Sequence, residues 1–132
     1  MMKQYGAIPY VREDDGIKVV LITSASGYWI FPKGRFEEDL GKQGTAEEEA
    51  YEEAGVKGKI RKNNTYRTKV VIKSGERVHL TLYALEVKTV LNKWPEAGRR
   101  KRKIVSLAKA EELMDSDALK GCLRHFFRDM LA

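Results

Sequence analysis

The stretch from Gly34 to Val56 constrains the fold and function of this chain more than any other part. A glycine-rich loop leads there into a segment crowded with glutamates. Glu49, Glu52 and Glu53 stand three and four residues apart, so a helix would place their carboxylates on one face. The alanines of the same segment fall on a different side. The pattern therefore predicts a helix with one acidic face.

An acidic helix face of this kind has two interpretations. It is commonly a solvated surface, since glutamate suits helices well. However, three carboxylates on one face repel each other, and a bound divalent cation would neutralise them. Oxygen-only ligands indicate a hard ion, Mg²⁺ or Mn²⁺, rather than zinc. The apolar run, proline and glycine turn of residues 29–34 stand directly before this segment and favour the metal site.

The same stretch resembles the Nudix box, G-x5-E-x7-R-E-U-x-E-E-x-G-U, in which U is a bulky apolar residue. The matching positions are Gly34, Glu49, Glu52, Glu53, Gly55 and Val56. Two positions depart from the motif, because Leu40 replaces its first Glu and Glu48 replaces its Arg. In the family those two side chains brace the loop against the helix and orient the catalytic Glu. Their joint absence predicts an altered catalytic rate.

The resemblance implies the Nudix α/β/α sandwich, an α/β fold with a mixed β-sheet, as a single domain over residues 1–132. It also implies that Glu49, Glu52 and Glu53 form the catalytic group. Glu49 and Glu53 correspond to the main metal ligands, Glu52 to a further one, and the Gly34 carbonyl to an extra one. Glu49 also corresponds to the residue that orients or deprotonates the attacking water in several members.

Basic residues are the candidates for substrate binding. The run RRKRK at 99–103 includes Arg100 and Arg102, whose guanidinium groups suit phosphate oxygens. Lys33 and Arg35 flank the motif glycine, and Lys18 would add positive charge near the phosphate path. Residues 86–102 are similar to the corresponding part of diphosphoinositol polyphosphate phosphohydrolases and diadenosine polyphosphate-cleaving relatives. The alternative is that the basic run is a solvated strand end.

Three functions follow from these features. The first is a Mg²⁺-dependent hydrolase of a phosphoanhydride bond in a nucleoside-diphosphate-linked or polyphosphorylated small molecule. Diphosphoinositol polyphosphates and dinucleoside polyphosphates are the favoured substrates. The second is pyrophosphohydrolysis of nucleoside triphosphates or of an RNA 5′ end. The third is a Nudix-fold module that binds polyanions with little turnover, which the two departures from the box would explain.

Composition agrees with a phosphorylated partner. The chain of 132 residues carries a formal net charge of +6, and a basic surface attracts polyanions. Nucleic acid is the less favoured partner. No apolar run approaches a membrane span, and no signal sequence is recognised, so we expect a cytoplasmic protein without a membrane partner. We expect a monomer or homodimer.

The local pattern also predicts individual elements. Pro9 indicates that the first strand is an edge strand or contains a bulge. The acidic helix is expected to begin near Thr45, which forms a capping-box pattern with Glu48. Gly55 is expected to end this helix in a left-handed conformation. Further strands are predicted at 56–61, 65–73, 77–87 and 99–107, and an amphipathic helix at 117–131.

Overall fold

The computed structural model describes residues 1–131, which form a seven-stranded sheet and three helices. The strands are β1 (Met2–Glu13), β2 (Gly16–Thr23), β3 (Trp29–Ile30), β4 (Lys33–Arg35), β5 (Val56–Val71), β6 (Arg77–Val90) and β7 (Arg102–Ser106). The helices are α1 (Gly41–Ala54), α2 (Leu107–Leu113) and α3 (Asp117–Leu131).

The sheet is mixed, as the sequence predicts. Its main path runs β3-β2-β1-β6-β5, with β4 paired to β1 and β7 paired to β2. The central pair of β1 and β6 is parallel, and the other pairs are antiparallel. Because β4 pairs with the start of β1, the loop that precedes α1 is held against the centre of the sheet.

Helices cover both faces of the sheet, which confirms the predicted α/β/α layers. Along β6, Leu80 and Leu82 pack with Phe126 of α3 in the larger core. On the opposite face Leu85 packs with the alanines of α1. Successive strand residues point to opposite faces, so one strand contributes to both cores.

The expectation that Pro9 marks an edge strand is wrong, because β1 lies in the middle of the sheet. On one side β1 pairs with β4 only up to Gly6 and with β2 only from Tyr10 onward. The Ala7 N–H on that side donates to the carbonyl of Pro32 at 3.1 Å. Pro9 follows two residues later on the same side of the strand, where the ladder has a gap. Its missing N–H therefore costs no sheet hydrogen bond.

The predicted start of α1 is also wrong. The helix begins at Gly41, and Leu40 occupies the N-cap position without a side-chain hydrogen bond. Thr45 lies inside the helix, where its buried hydroxyl donates to the Gly41 carbonyl at 2.6 Å. The same oxygen accepts a hydrogen bond from the backbone N–H of Glu37 at 3.0 Å. Thr45 therefore ties the preceding loop to the helix instead of forming a capping box.

The remaining helix and strand boundaries agree in part with those predicted from the sequence. Gly55 ends α1 with φ 65°, and α3 has the predicted bounds. The two strands predicted at 56–61 and 65–73 form one strand, β5, with a register irregularity between Arg61 and Thr65. β7 begins at Arg102, so residues 99–101 belong to the preceding loop. In the described part of the chain, no helix is long and apolar enough to span a membrane.

The aromatic cluster beneath α3 gives a test of the packing. Phe126 is fully buried, with its ring centroid 5.3 Å from that of Tyr10 and 6.3 Å from that of Tyr66. We expect Phe126→Ala to lower the free energy of unfolding by about 3–5 kcal/mol, because it removes a packed ring and leaves a cavity. Phe127→Ala is the matched control, since Phe127 is 41% exposed. Denaturant unfolding measures both, and equal losses would contradict the packing.

Candidate active site on the first helix

Gly34 of β4 and Glu49 of α1 are in direct contact. A Cβ atom built on Gly34 would lie 2.5 Å from Oε1 and 2.8 Å from Oε2 of Glu49. Real side chains do not come so close, so only glycine allows the carboxylate to rest on this backbone. The motif glycine and the second half of the box, fifteen residues apart in sequence, therefore form one site.

Glu53 lies one turn after Glu49 and is only 7% exposed. Its Oε1 accepts a hydrogen bond from the backbone N–H of Lys33 at 3.1 Å. Its Oε2 accepts one from Arg100 Nη2 at 3.0 Å, forming a largely buried ion pair. A buried carboxylate needs such partners, because burial without them disfavours its charge. Glu53 thereby connects β4, α1 and the loop that carries Arg100.

Electrostatics around the two glutamates disfavours two negative charges at once. Burial, followed by the charge of Glu53, raises the pKa of Glu49 to about 7. Burial also raises the pKa of Glu53, while Arg100 and the Lys33 N–H act in the opposite direction. Glu49 can therefore gain or lose a proton near neutral pH, as a catalytic acid or base must.

The third glutamate of the predicted site lies between Glu48 and Glu49 in its electrostatic contacts. Glu52 interacts with Glu48, the residue that replaces the motif Arg, and with Glu49. Burial, followed by the hydrogen bond with Glu48, raises the pKa of Glu52 to about 7. The structure therefore brings Glu49 and Glu53 together with Gly34, and places Glu52 beside them on the helix.

Of the basic residues beside the motif glycine, Lys33 belongs to the site. Its Nζ donates to Gln4 Oε1 at 2.9 Å, and burial lowers its pKa, opposed by the charge of Glu53. Arg35 is exposed at the end of β4. Lys18 forms an ion pair with Glu13 at 3.0 Å, five residues before Thr23. At about 3.3 Å per strand residue this is roughly 17 Å from the end of β2 where Arg100 binds, so Lys18 lies outside the site.

Arg100 is in the site, and three of its five N–H donors are engaged by protein groups. Besides Glu53, it donates through Nε to Glu96 Oε1 at 2.7 Å and through Nη1 to the Thr23 carbonyl at 2.9 Å. Arg102 lies further from the glutamate side chains. Its Nη1 donates to the backbone carbonyls of Ala54 and Leu91, each at 2.9 Å.

The loop over residues 91–101, together with Arg102 at the start of β7, encloses the C-terminal end of α1, which the sequence did not predict. Trp94 Nε1 donates to the Glu53 carbonyl at 3.1 Å, and the Arg102 guanidinium lies 4.1 Å from the Trp94 ring centroid. A Cβ on Gly55 would lie 2.6 Å from the Trp94 ring. The last carbonyls of a helix lack intrahelical partners and carry partial negative charge, so an arginine and an indole N–H stabilise this end. We call residues 91–102 the capping loop.

The site suits a hard divalent cation by the chemistry of its donors. Glu49 and Glu53 supply carboxylate oxygens. Because Gly34 has no side chain, the Glu49 carboxylate has room to lie against its backbone. Among residues 1–131, however, no three Asp, Glu, His or Cys side chains form a ready group of metal ligands. Two protein carboxylates are sufficient for Mg²⁺ when substrate phosphates and water complete its shell.

The chain is similar in sequence to several known proteins. No protein-family model matches the chain. It is 31% identical to Nudix hydrolase 13, mitochondrial, from Arabidopsis thaliana, over 95% of this chain and 73% of the relative. It is 38% identical to human diphosphoinositol polyphosphate phosphohydrolase 2, over 64% of this chain and 46% of the relative. Because one relative is named mitochondrial, the cytoplasmic location stays an expectation.

The fold has close structural neighbours. A Caenorhabditis elegans Ap4A hydrolase, solved as a binary complex, superposes with a TM-score of 0.84 at 19% identity. The match covers 99% of this chain and 98% of that chain. At this identity the likeness shows the shared fold.

The raised pKa of Glu49 predicts a pH-dependent cost to stability. Its pKa is about 7 in the folded protein and near 4.5 otherwise, so the folded state binds more protons between these values. Stability contributed by protonated Glu49 is therefore lost as the pH rises from 4.5 through 7. We expect Glu49→Gln to stabilise the metal-free protein at pH 8 by about 1 kcal/mol, after allowing for solvent screening.

At pH 4 the substitution should have little effect, because Glu49 is protonated in both states. Calorimetry on the metal-free protein measures both conditions. Glu47→Gln, on the exposed side of the same helix, is the control. A loss of stability at pH 8, or an equal change at both pH values, would show that Glu49 carries no such cost.

Proposed function

This chain belongs to the Nudix hydrolase family, and we propose that it cleaves a phosphoanhydride bond in a polyphosphorylated small molecule with the help of Mg²⁺. The observation that carries the proposal is the contact of Glu49 with Gly34 beside buried Glu53. The family acts on phosphoanhydride bonds, so the reaction class follows from membership. The use of Mg²⁺ and the class of substrate are what we propose.

Glu49 and Glu53, with the Gly34 carbonyl, would hold the cation, and Glu52 would contribute from the adjacent position. A bound Mg²⁺ supplies charge neutralisation on phosphate oxygens and lowers the pKa of a coordinated water. Glu49 accepts the proton of the attacking water, as a carboxylate beside the reacting phosphate can. The Lys33 N–H keeps Glu53 in place during this transfer.

Two cavities, lined in part by Lys33 and Arg100, the partners of Glu53, offer space for a substrate. The first, of about 590 Å³, is lined by Lys33 together with Tyr28, Trp29 and aliphatic side chains. The second, of about 480 Å³, is lined by Arg99, Arg100 and Lys101, and both cavities share Trp29. We therefore propose that Lys33 and Arg100 contact the phosphates, with Arg35 at the margin, and that the less polar part of the substrate enters the first cavity.

The relatives indicate the substrate class. One is named as a diphosphoinositol polyphosphate phosphohydrolase, and a structural neighbour as an Ap4A hydrolase. Both names describe molecules with many phosphates, which agrees with the net charge of +6. Diphosphoinositol polyphosphates and dinucleoside polyphosphates are accordingly our leading substrates, ahead of nucleoside triphosphates and RNA 5′ ends.

A second function, polyanion binding with little turnover, is favoured by a specific observation. The ion pair between Arg100 and Glu53 occupies one oxygen of an expected metal ligand. In addition, the motif positions that brace the loop hold Leu40, which is 43% exposed, and Glu48. Binding of Mg²⁺ would have to compete with Arg100 for Glu53 Oε2.

A substrate panel separates the two functions. We expect the protein with Mg²⁺ to release phosphate or nucleotide from at least one of several dinucleoside polyphosphates, diphosphoinositol polyphosphates and nucleoside triphosphates. Glu53→Gln should lower kcat about 100-fold or more, because it removes a charged ligand at the reacting phosphate. Glu47→Gln, on the exposed side of α1, is the matched control and should retain activity.

Tight binding of the same compounds without release from any of them would support the binding module. Unchanged turnover in Glu53→Gln would refute the assignment of Glu53 as a metal ligand.

A further inference from the structure

Five basic side chains share one open area of the sheet, on the face that carries α1. Lys3 of β1, Arg67 and Lys69 of β5, and Arg77 and His79 of β6 are all exposed. They lie at alternate strand positions, whereas the intervening residues, such as Tyr66 and Leu80, are buried beneath α3. Because α1 covers only the neighbouring part of this face, these side chains remain in solvent. We call them the basic face.

The strand register gathers these basic side chains on one area of three neighbouring strands. His79 pairs with Lys3 on one side and with Lys69 on the other, and Arg67 pairs with Thr81. Charges of one sign that are gathered on one face repel each other. Within residues 1–131, none of the five forms an ion pair or a side-chain hydrogen bond. The arrangement therefore does not serve the stability of the folded chain.

A concavity of about 250 Å³ lies in the basic face, and the groups around it are suited to donate hydrogen bonds. Its lining includes Lys3, Lys42, Arg67, His79, Thr81 and Tyr83. No aspartate or glutamate lines it. Lysine and arginine can only donate, so a complementary ligand presents anionic oxygens.

We propose that the basic face binds the sugar–phosphate backbone of single-stranded nucleic acid. The charges continue beyond the concavity to Lys69 and Arg77. Neighbouring positions on this face are about 4.8 Å apart between strands and about 6.7 Å apart along a strand. Such spacing suits a chain with repeating phosphates better than one compact anion. Three neighbouring strands span about 10 Å, so the charges form a narrow track.

The binding is independent of base sequence. The tyrosines of the concavity, Tyr5 and Tyr83, are each 6% exposed, so their rings are not available for stacking on bases. Contacts to phosphates alone carry no sequence information. They produce a strong dependence on salt, because each neutralised phosphate releases counterions. This binding requires neither Mg²⁺ nor the glutamates, so it stands or fails apart from the hydrolase proposal.

Fluorescence anisotropy with labelled twelve-nucleotide RNA tests the proposal. The RNA carries a 5′ hydroxyl, and the buffer contains a chelator, so the catalytic site is not engaged. The triple variant Arg67→Ala/Lys69→Ala/Arg77→Ala removes three charges from the basic face. The control Lys109→Ala/Lys120→Ala/Arg128→Ala removes three charges from α2 and α3, on the opposite side of the sheet.

We expect the basic-face variant to bind at least about 10-fold more weakly, with its log–log salt slope reduced by about 2, since each single-strand phosphate contact contributes about 0.7. The control should change Kd less than about 2-fold, and uridine-rich and mixed sequences should bind alike. Thermal unfolding should show both variants folded, because the substituted side chains lie mostly in solvent.

Equal weakening in the two triple variants would overturn the proposal, because it would reflect net charge alone. Preference for one base sequence would also overturn it. Inorganic tripolyphosphate and vesicles rich in anionic lipid serve as competing ligands. If either binds wild type more tightly than the RNA does and loses that binding in the basic-face variant, this surface is not a nucleic-acid site.

Discussion

The pairing of buried Glu53 with the Lys33 N–H and the Arg100 guanidinium is the interaction on which the rest of the site depends. Each partner comes from a different part of the chain, twenty and forty-seven residues away. A carboxylate with 7% exposure is stable in its charged form only while such partners remain. The three groups thus fix the position of α1 relative to β4 and to the capping loop, and with it the contact of Glu49 with Gly34.

The chain replaces the missing motif brace with other contacts on α1. At the start of the helix, the Thr45 hydroxyl links the Glu37 backbone to the first turn. At the end, Trp94 and Arg102 of the capping loop occupy carbonyls that a helix leaves without partners. Both ends of α1 are therefore held by side chains that the Nudix motif does not specify, while Leu40 and Glu48 occupy its divergent positions.

Like charges are gathered at two places, on α1 and on the basic face. On α1, Glu49 and Glu53 face each other in a half-buried site. On the basic face, Lys3 and Lys69 flank His79 across neighbouring strands. Folding alone gives no reason for either cluster, whereas a cation and a polyanion would neutralise them. The acidic cluster lies within the recognised motif, but the basic cluster draws on three strands with no motif in common.

What the sequence determined is local: the spacing of the glutamates on α1, the left-handed end at Gly55, and the bounds of α3. These depend on helical periodicity and backbone preferences over a few residues. The tertiary structure decided the central place of Pro9, the protein partners of Arg100 and Arg102, and the assembly of the basic face. Those features depend on strand order and on contacts between distant residues, such as Arg100 with Glu53, about which local periodicity carries no information.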